Sequence, residues 1–229
     1  MAEWHPAFEE YCEAIFELDE DDIKVVQARI AERLSISRPS VSEMMKRLEA
    51  AALIHLDGSV IQLTDDGQTL AERVVRRHRL AERFLTDILG LSWAEAHVEA
   101  GKWEHVISDS VEAAFARVLN DPTTCPHGNP IPGTAYLQPV TTPLNEVALG
   151  ETFRVERIPE ELEFAPGVLD LLQGLHLTPG ATGRVISHGS DGTVRISVDG
   201  QVDGLAVTVD TFSSNRILVS AGHADRADR

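Results

Sequence analysis

The chain has 229 residues, a formal net charge of −17, and 43% hydrophobic and 5% aromatic residues. This composition is typical of soluble globular proteins with an aliphatic core, and it excludes a disordered chain. No stretch approaches the roughly 18 apolar residues that span a bilayer, and the first residues lack the basic and apolar regions of a signal peptide, so we expect a cytoplasmic protein without membrane contact.

The cysteines and the acidity narrow the possible classes further. Cys12 and Cys125 are far apart and lack CxxC spacing, which excludes a disulfide framework and a structural zinc site. The net negative charge opposes nonspecific binding to nucleic-acid phosphates. The same carboxylates are a supply of ligands for hard metal ions. The distribution of the charge is therefore more informative than its sum.

The first part of the chain predicts a winged helix-turn-helix. Ser37 is a suitable N-cap and Pro39 a suitable first-turn residue for the third helix. The turn Asp57-Gly58 between two apolar runs predicts a β-hairpin, the wing, and Thr64 can cap the long helix that follows. The predicted elements are helices at 6–18, 25–34 and 40–52, strands at 53–56 and 60–63, and a long helix to about residue 89.

The rest of the chain predicts a helical region followed by a small β-barrel. One amphipathic helix is expected from Ser92 to Leu119, and the Pro- and Gly-rich stretch 120–133 is expected to be irregular. Residues 134–150 are predicted to be a linker, and the polar tail 224–229 to be disordered. Strand candidates lie at 152–157, 183–187, 193–198, 205–209 and 217–220, with a helix near 166–174.

Basic residues are concentrated around the predicted third helix and the wing. From Arg33 to Arg47 there are four basic residues and a single acidic one, Glu43, and five arginines follow between positions 73 and 83. The exposed first turns of such a helix contact base edges in the major groove. The pattern predicts DNA binding, although a solvated helix face remains the alternative. The candidate DNA-contacting residues are Arg29, Ser37, Arg38, Pro39, Ser40, Ser42, Glu43, Lys46 and Arg47.

Histidines and carboxylates recur at helical spacing behind the wing. His78 and Glu82 are four residues apart and therefore share a helix face. A second stripe has the spacing i, i+4, i+7, i+8, and it consists of His97, Gly101, Glu104 and His105. Glu10 and Glu13 on the first helix add carboxylates. Such mixed ligand sets suit Mn(II), Fe(II), Co(II), Ni(II) or Zn(II), although a single helical histidine is more often structural.

Three segments in this order resemble one family. They are RHRLAERF at 77–84, WEHVISD at 103–109 and PTTCPHGNPIPG at 122–133. Behind a winged helix, they resemble the diphtheria-toxin-repressor family of iron- and manganese-dependent repressors over essentially the whole chain, including a C-terminal SH3-like domain. The resemblance implies a homodimer that binds a divalent metal, orders its N-terminal helix and then binds a palindromic operator.

The resemblance also implies two metal sites. Its ancillary site corresponds to His78, Glu82, His97, Glu160 and Glu163. Its primary site corresponds to Glu10, Gly101, Glu104, His105 and, in the manganese-type pattern, Glu13.

Two positions of the primary site depart from the iron-type pattern. Iron-type members carry methionine at the position of Glu10 and cysteine at that of Gly101, whereas manganese-type members carry carboxylates at both. The loss of both sulfur ligands favours harder ions such as Mn(II), while the SH3-like domain and the ancillary site are those of the iron-type branch. Fe(II) and Mn(II) both remain open, and Co, Ni and Zn are expected to bind in vitro.

The fold class expected is mainly α with a small β domain. The predicted parts are a winged-helix DNA-binding domain at 1–74, a helical metal-binding and dimerisation domain at 75–140, a linker at 141–150 and an SH3-like β-barrel at 151–223. The predicted function is a metal-activated transcriptional repressor, not an enzyme. One alternative is a winged-helix regulator that senses a small organic ligand and has a structural His/Glu cluster. A second is a metallohydrolase, although the sequence lacks a nucleophile-activating arrangement. A third is a metal store, which would not need the third helix.

Overall fold

The computed structural model describes residues 5–200 and 206–222. They form two compact units, which are treated separately below. The first unit comprises 5–89, 96–122 and 131–134, and the second comprises 90–95, 123–130 and the described residues from 135 onwards. Among the described residues, the helices are all too short or too polar to cross a membrane.

The first unit begins with a winged helix-turn-helix. Its elements are α1 (Pro6–Glu20), α2 (Gln27–Arg33), α3 (Arg38–Ala50), β1 (Ile54–Asp57), β2 (Val60–Leu63) and α4 (Asp65–Arg83). The side chain of Ser37 accepts a hydrogen bond from the amide of Ser40, and that of Thr64 from the amide of Gly67, so both predicted N-caps are confirmed. α3 therefore begins at Arg38, two residues earlier than predicted.

The wing closes as the sequence predicts. β1 and β2 pair antiparallel with Asp57 opposite Val60, and Gly58 in the turn has a φ of 61°. Glycine adopts a positive φ without steric strain because it has no Cβ. The core beneath the wing is aliphatic, and Ile15 of α1 belongs to the same buried cluster as Leu48 of α3. Helix α1 is thus part of the core of the DNA-binding fold.

The predicted single helix from Ser92 to Leu119 is wrong, because the structure has two helices there. α4 ends at Arg83 and continues as a π-helical turn, Phe84–Ile88. α5 (Trp93–Trp103), which has its first residues in the second unit, is separated from α6 (Asp109–Val118) by a break at 104–108. Ser108 caps α6 by accepting from the amide of Val111. This capping serine marks the start of a new helix, although apolar residues continue at helical spacing across the break.

The second unit is a six-stranded antiparallel sheet with three short helices. The strands are β3 (Thr142–Pro143), β4 (Thr152–Arg157), β5 (Thr182–His188), β6 (Val194–Val198), β7 (Ala206–Val209) and β8 (Leu218–Ala221), in the order β3-β8-β4-β5-β6-β7. The helices are α7 (Glu160–Glu163), α8 (Val168–Gly174) and α9 (Thr211–Ser214). The expected fold class, mainly α with a small β domain, is confirmed.

The segment predicted to be a linker differs from that expectation. Residues 141–150 contain β3 and a 3₁₀ turn, Leu144–Glu146, and both Leu144 and Val147 are buried in the core of the sheet. Burial of these two aliphatic side chains makes the segment part of the β unit. Leu205, where a strand was predicted to begin, and the polar tail 224–229 lie outside the described residues.

Ala52, two residues beyond the end of α3, offers a test of backbone strain. Ala52 is exposed and has a φ of 57°, a left-handed conformation that penalises a Cβ. We expect Ala52→Gly to raise the free energy of unfolding by about 0.5–1 kcal/mol, because glycine removes that penalty. The neighbouring Ala51 has a φ of −83°, so Ala51→Gly is a control that should bring no gain. Urea denaturation measures the free energy of unfolding of both variants. Equal effects of the two substitutions would show that the backbone at Ala52 is not strained.

Candidate metal centre and DNA-binding face

His78 lies at the centre of a buried cluster of imidazoles and carboxylates. It projects from α4, and its side chain is 8% exposed. Its Nδ1 atom is 2.5 Å from Oε2 of Glu104, just beyond the end of α5. Its Nε2 atom is 3.2 Å from Oε1 of Glu82 and 3.3 Å from Nδ1 of His97. One imidazole therefore contacts residues assigned to both predicted metal sites.

The structure brings together the part of the ancillary site that lies in the first unit. His78, Glu82 and His97 each offer a ligand atom, and these atoms lie within 4.8 Å of one another. Oε1 of Glu82 is 3.0 Å from Nδ1 of His97. Glu82 is almost fully buried, and a buried carboxylate requires a compensating charge. This ligand set suits a divalent transition metal.

A second group joins α1 to the same histidine. Ligand atoms of Glu13, His78 and Glu104 lie within 4.8 Å of one another, and all three residues are buried. Oε1 of Glu104 is also 3.3 Å from Nε2 of His105. Glu13, Glu104 and His105 were assigned to the primary site, whereas His78 was assigned to the ancillary site alone. The structure thus adds His78 to the candidate primary site.

The first turn of α1 presents Glu9, rather than Glu10, to His105. Oε2 of Glu9 is 2.9 Å from Nδ1 of His105, and Oε1 of Glu9 is 2.7 Å from a terminal nitrogen of Arg73. Glu9 is buried and Glu10 is exposed. Glu9 and Glu13 are one helical turn apart and share a face, while Glu10 is rotated away from it. Glu9 was not predicted from the sequence, and the role of Glu10 as a ligand remains a prediction.

Gly101 leaves open space at the position of the missing side chain. It lies in α5, is exposed, and a Cβ added to it would meet no described atom within 4 Å. A cysteine can therefore be placed there without a steric clash. Coordination by Gly101 itself remains a prediction.

Glu160 and Glu163 lie in the second unit, on the short helix α7, and both are buried. Oε2 of Glu163 is 2.8 Å from Nδ1 of His127, and Oε1 accepts a 2.5 Å hydrogen bond from Asn129. Sγ of Cys125 is 3.8 Å from the same nitrogen of His127. Cys125 and His127 were not predicted as site residues from the sequence, although their spacing, Cys-Pro-His, is visible in it. Participation of Glu160 and Glu163 in the ancillary site remains a prediction.

The predicted DNA-contacting residues lie on or beside α3, and most are exposed. Ser37, Arg38, Pro39 and Ser40 form its exposed start, and Ser42 is half-buried. Further along, a 3.6 Å ion pair joins Lys46 to the exposed Glu43. Arg29 on α2 pairs with Glu32 at 3.1 Å. Exposed ion pairs of this kind are weak, so phosphate can compete for both cations. Their contacts with DNA remain predictions.

Comparison with known proteins identifies the family. Residues 5–59 match the model described as "Iron dependent repressor, N-terminal DNA binding domain", and residues 64–133 match "Iron dependent repressor, metal binding and dimerisation domain". The iron-dependent repressor IdeR of Mycobacterium leprae is 37% identical over 217 residues, which are 94% of this chain and 89% of that protein. The chain belongs to the diphtheria toxin repressor family of metal-dependent transcriptional repressors.

Other members of the diphtheria toxin repressor family are similar to this chain in different regions. The diphtheria toxin repressor of Corynebacterium diphtheriae is 48% identical over 126 residues, 55% of this chain and 56% of that protein. A solved structure titled "Manganese-dependent transcriptional repressor complex with manganese" has a TM-score of 0.83 and 31% identity, and the match covers 93% of this chain and 98% of the other. Iron- and manganese-dependent relatives are thus both similar to this chain.

The protonation of the two central histidines fits a cation site of this family. Burial alone would lower the pKa of His78, but the charge of Glu82 and hydrogen bonds to Glu104 and Glu82 raise it well above its usual value. The hydrogen bond to Glu9 raises the pKa of His105, with smaller contributions from the charges of Glu104, Glu9 and Glu10. The carboxylates therefore stabilise positive charge at both positions, and a divalent cation would supply it in place of protons.

These raised pKa values predict how metal affinity varies with pH. Both imidazoles hold their protons below the ordinary histidine pKa and lose them only as pH rises through the raised values. Because a coordinating imidazole must be neutral, protons compete with the metal. We expect Mn(II) affinity to rise between about pH 6 and pH 8, with net proton release. Calorimetric titration in buffers of different ionisation enthalpy measures both, and a pH-independent affinity would contradict the expectation.

Proposed function

We propose that this chain is a homodimeric repressor that Fe(II) or Mn(II) activates to bind palindromic operators and so control genes of metal homeostasis. The observation that carries the proposal is the buried cluster around His78. It collects carboxylates and imidazoles from α1, α4 and the end of α5. Helix α1 also belongs to the core of the winged helix. The same helix therefore contributes to the metal centre and to the DNA-binding fold.

Within this proposal, Glu13, His78, Glu104 and His105 hold the primary cation, and His78, Glu82 and His97 hold the ancillary one, with Glu160 and Glu163 as its further ligands. The cation supplies the positive charge that these buried carboxylates require. Glu10 and Gly101 remain candidates for completing the primary site, Glu10 through its exposed carboxylate and Gly101 through its backbone carbonyl.

Ion pairs connect α1 to its neighbours, including α2, which precedes α3, the proposed DNA-reading helix. Glu17 of α1 forms a 2.5 Å ion pair with Arg33 of α2, and both side chains are buried. Glu20 at the end of α1 pairs at 2.7 Å with Arg79 of α4. A shift of α1 toward the metal centre therefore moves α2, and with it the start of α3. Because coupling is reciprocal, operator DNA should tighten metal binding.

Exposed apolar side chains support a homodimer. Ile88, Leu89, Val98 and Val106 on the helical part of the first unit are each at least half exposed. Exposed apolar side chains are common in homodimer interfaces. The region lies within the segment matched by the dimerisation-domain model. Two copies related by a two-fold axis would present two reading helices to a palindromic site.

The proposal is tested by an anaerobic mobility-shift titration with Fe(II), Mn(II) and Zn(II). The probe is a DNA duplex selected from a random-sequence pool by the metal-loaded protein. We expect tight binding with metal and at least a tenfold weaker affinity with a chelator. Equally tight binding with the chelator would overturn the metal switch.

The same titration on two variants tests metal selectivity. Gly101→Cys and Glu10→Met restore the sulfur donors of the iron-type pattern, and the open space at Gly101 accepts the new side chain. We expect both variants to shift preference toward Fe(II) relative to Mn(II), because thiolate and thioether sulfur are softer ligands. An unchanged ratio of the two affinities would contradict the argument that the missing sulfur sets selectivity.

One observation favours the alternative of a small organic effector. The first unit contains a cavity of about 710 Å³ between α4 and α6, bordered by Leu70, Arg73, Arg76, Ala113 and Pro132. That volume is within the range of small-molecule sites. An operator affinity that does not depend on added metal would favour this alternative.

A further inference from the structure

An aromatic ring on the metal-binding helix lies under an arginine of the DNA-reading helix. The guanidinium carbon of Arg47 is 5.1 Å from the centroid of the Phe8 ring. Phe8 is in the first turn of α1, and Arg47 is in the last turn of α3. A cation within about 6 Å of an aromatic face is attracted to the π electrons. The contact joins two helices that are far apart in the sequence.

The contact distinguishes Arg47 from Lys46 and Arg29 on the DNA-binding face. Lys46 and Arg29 are paired with the carboxylates of Glu43 and Glu32. Among residues 5–200 and 206–222, Arg47 forms no ion pair, and its guanidinium contacts the Phe8 ring. An aromatic face restrains the plane of a guanidinium without consuming its N–H donors. Arg47 therefore keeps all five donors for an anionic partner.

Phe8 is also next to the metal centre in the chain. Its neighbour Glu9 contacts both His105 and Arg73, and Phe8 itself packs against the core of the winged helix. The first turn of α1 is thus held on one side by groups of the metal centre and on the other by Arg47. A change in the placement of this turn changes the placement of the ring under the guanidinium.

We propose that Phe8 is a positioning residue that orients Arg47 for contact with DNA phosphate and links that contact to the order of α1. This inference rests on the proposed function, because it takes α3 to be the DNA-reading helix. The ring acts through Arg47 and does not contact DNA itself. An aliphatic side chain at position 8 would keep most of the apolar packing but would leave the guanidinium unrestrained.

The test is a double-mutant cycle on DNA affinity with Mn(II)-loaded full-length protein and the selected duplex. Phe8→Leu keeps an apolar side chain and should weaken DNA binding about two- to fivefold. This factor corresponds to the strength of an exposed cation–π contact. Phe8→Tyr keeps the aromatic face and should restore the wild-type affinity. In an Arg47→Gln background, Phe8→Leu should have no further effect, because its partner is absent.

Three outcomes would overturn the proposal. They are an equal loss from Phe8→Leu with and without Arg47, an affinity for Phe8→Tyr as low as for Phe8→Leu, and an unchanged affinity for Phe8→Leu. A purely structural role predicts the first of these, together with a matching loss of thermal stability. If the wild-type protein binds DNA equally well with a chelator, the proposed metal switch fails, while the cycle still measures whether Phe8 acts through Arg47.

Discussion

His78→Ala is expected to abolish metal-activated DNA binding. The imidazole of His78 contacts Glu104 through one nitrogen, and Glu82 and His97 through the other. Its removal therefore damages both candidate sites. Loss of an outer-sphere partner alone commonly costs 10–100-fold in metal affinity, so we expect at least about a 100-fold loss for this shared residue. Calorimetry with Mn(II) and the mobility-shift titration measure the two effects.

Two other histidines provide graded controls for this prediction. His97→Ala removes a group that contacts only the ancillary cluster among the contacts described above, so we expect a smaller loss than for His78→Ala. His176 is exposed in the second unit and has a φ of 55°, which asparagine tolerates. His176→Asn should leave metal and DNA affinity unchanged. Metal-activated binding by His78→Ala within about threefold of wild type would contradict the shared role.

Glu17→Gln is expected to cause a large loss of stability in the first unit. Glu17 and Arg33 form a 2.5 Å ion pair whose side chains are only 5% and 6% exposed. Removing one charge of a buried pair leaves the other poorly solvated, and the usual cost is about 3–5 kcal/mol in the free energy of unfolding. Urea denaturation followed by circular dichroism measures the change. The paired replacement Glu17→Leu with Arg33→Met should recover most of it, because apolar packing substitutes for the ion pair.

The exposed pair of Arg29 and Glu32 is the matched control. Its side chains are 53% and 72% exposed, and its nitrogen–oxygen distance is 3.1 Å. Solvent screens such a pair, so Glu32→Gln should change the free energy of unfolding by less than about 1 kcal/mol. If Glu17→Gln were no more destabilising than Glu32→Gln, the ion pair could not be what holds α1 against α2.

Local signals in the sequence predicted the winged helix well. Ser37, Thr64 and the Asp57-Gly58 turn each act through neighbouring backbone, so their effects could be read from a few residues. The break between α5 and α6 was missed because apolar residues continue at helical spacing across it. The burial of Leu144 and Val147 was missed because it depends on partners distant in the chain.

The metal centre was predicted in its composition but not in its contacts. Spacing along the helices singled out His78, Glu82 and His97, and the family resemblance assigned them to one site, which the structure brings together. It could not show that His78 also reaches Glu104, because that contact depends on how α4 and α5 pack. The choice between Glu9 and Glu10 depends on the rotation of α1 about its axis. A difference of one residue turns a helical side chain by about 100°.

The break after Trp103 has a consequence for cation binding. Because α5 ends there, Glu104 and His105 stand at its carboxyl end instead of inside a longer helix. The peptide dipoles of a helix sum to about half a negative charge at that end. A cation placed there is stabilised by about 0.3–1 kcal/mol when it is exposed and by more when it is partly buried. The backbone itself therefore adds to the attraction of the carboxylates. A substitution in residues 106–108 that fused α5 to α6 would remove this contribution while leaving every ligand side chain in place.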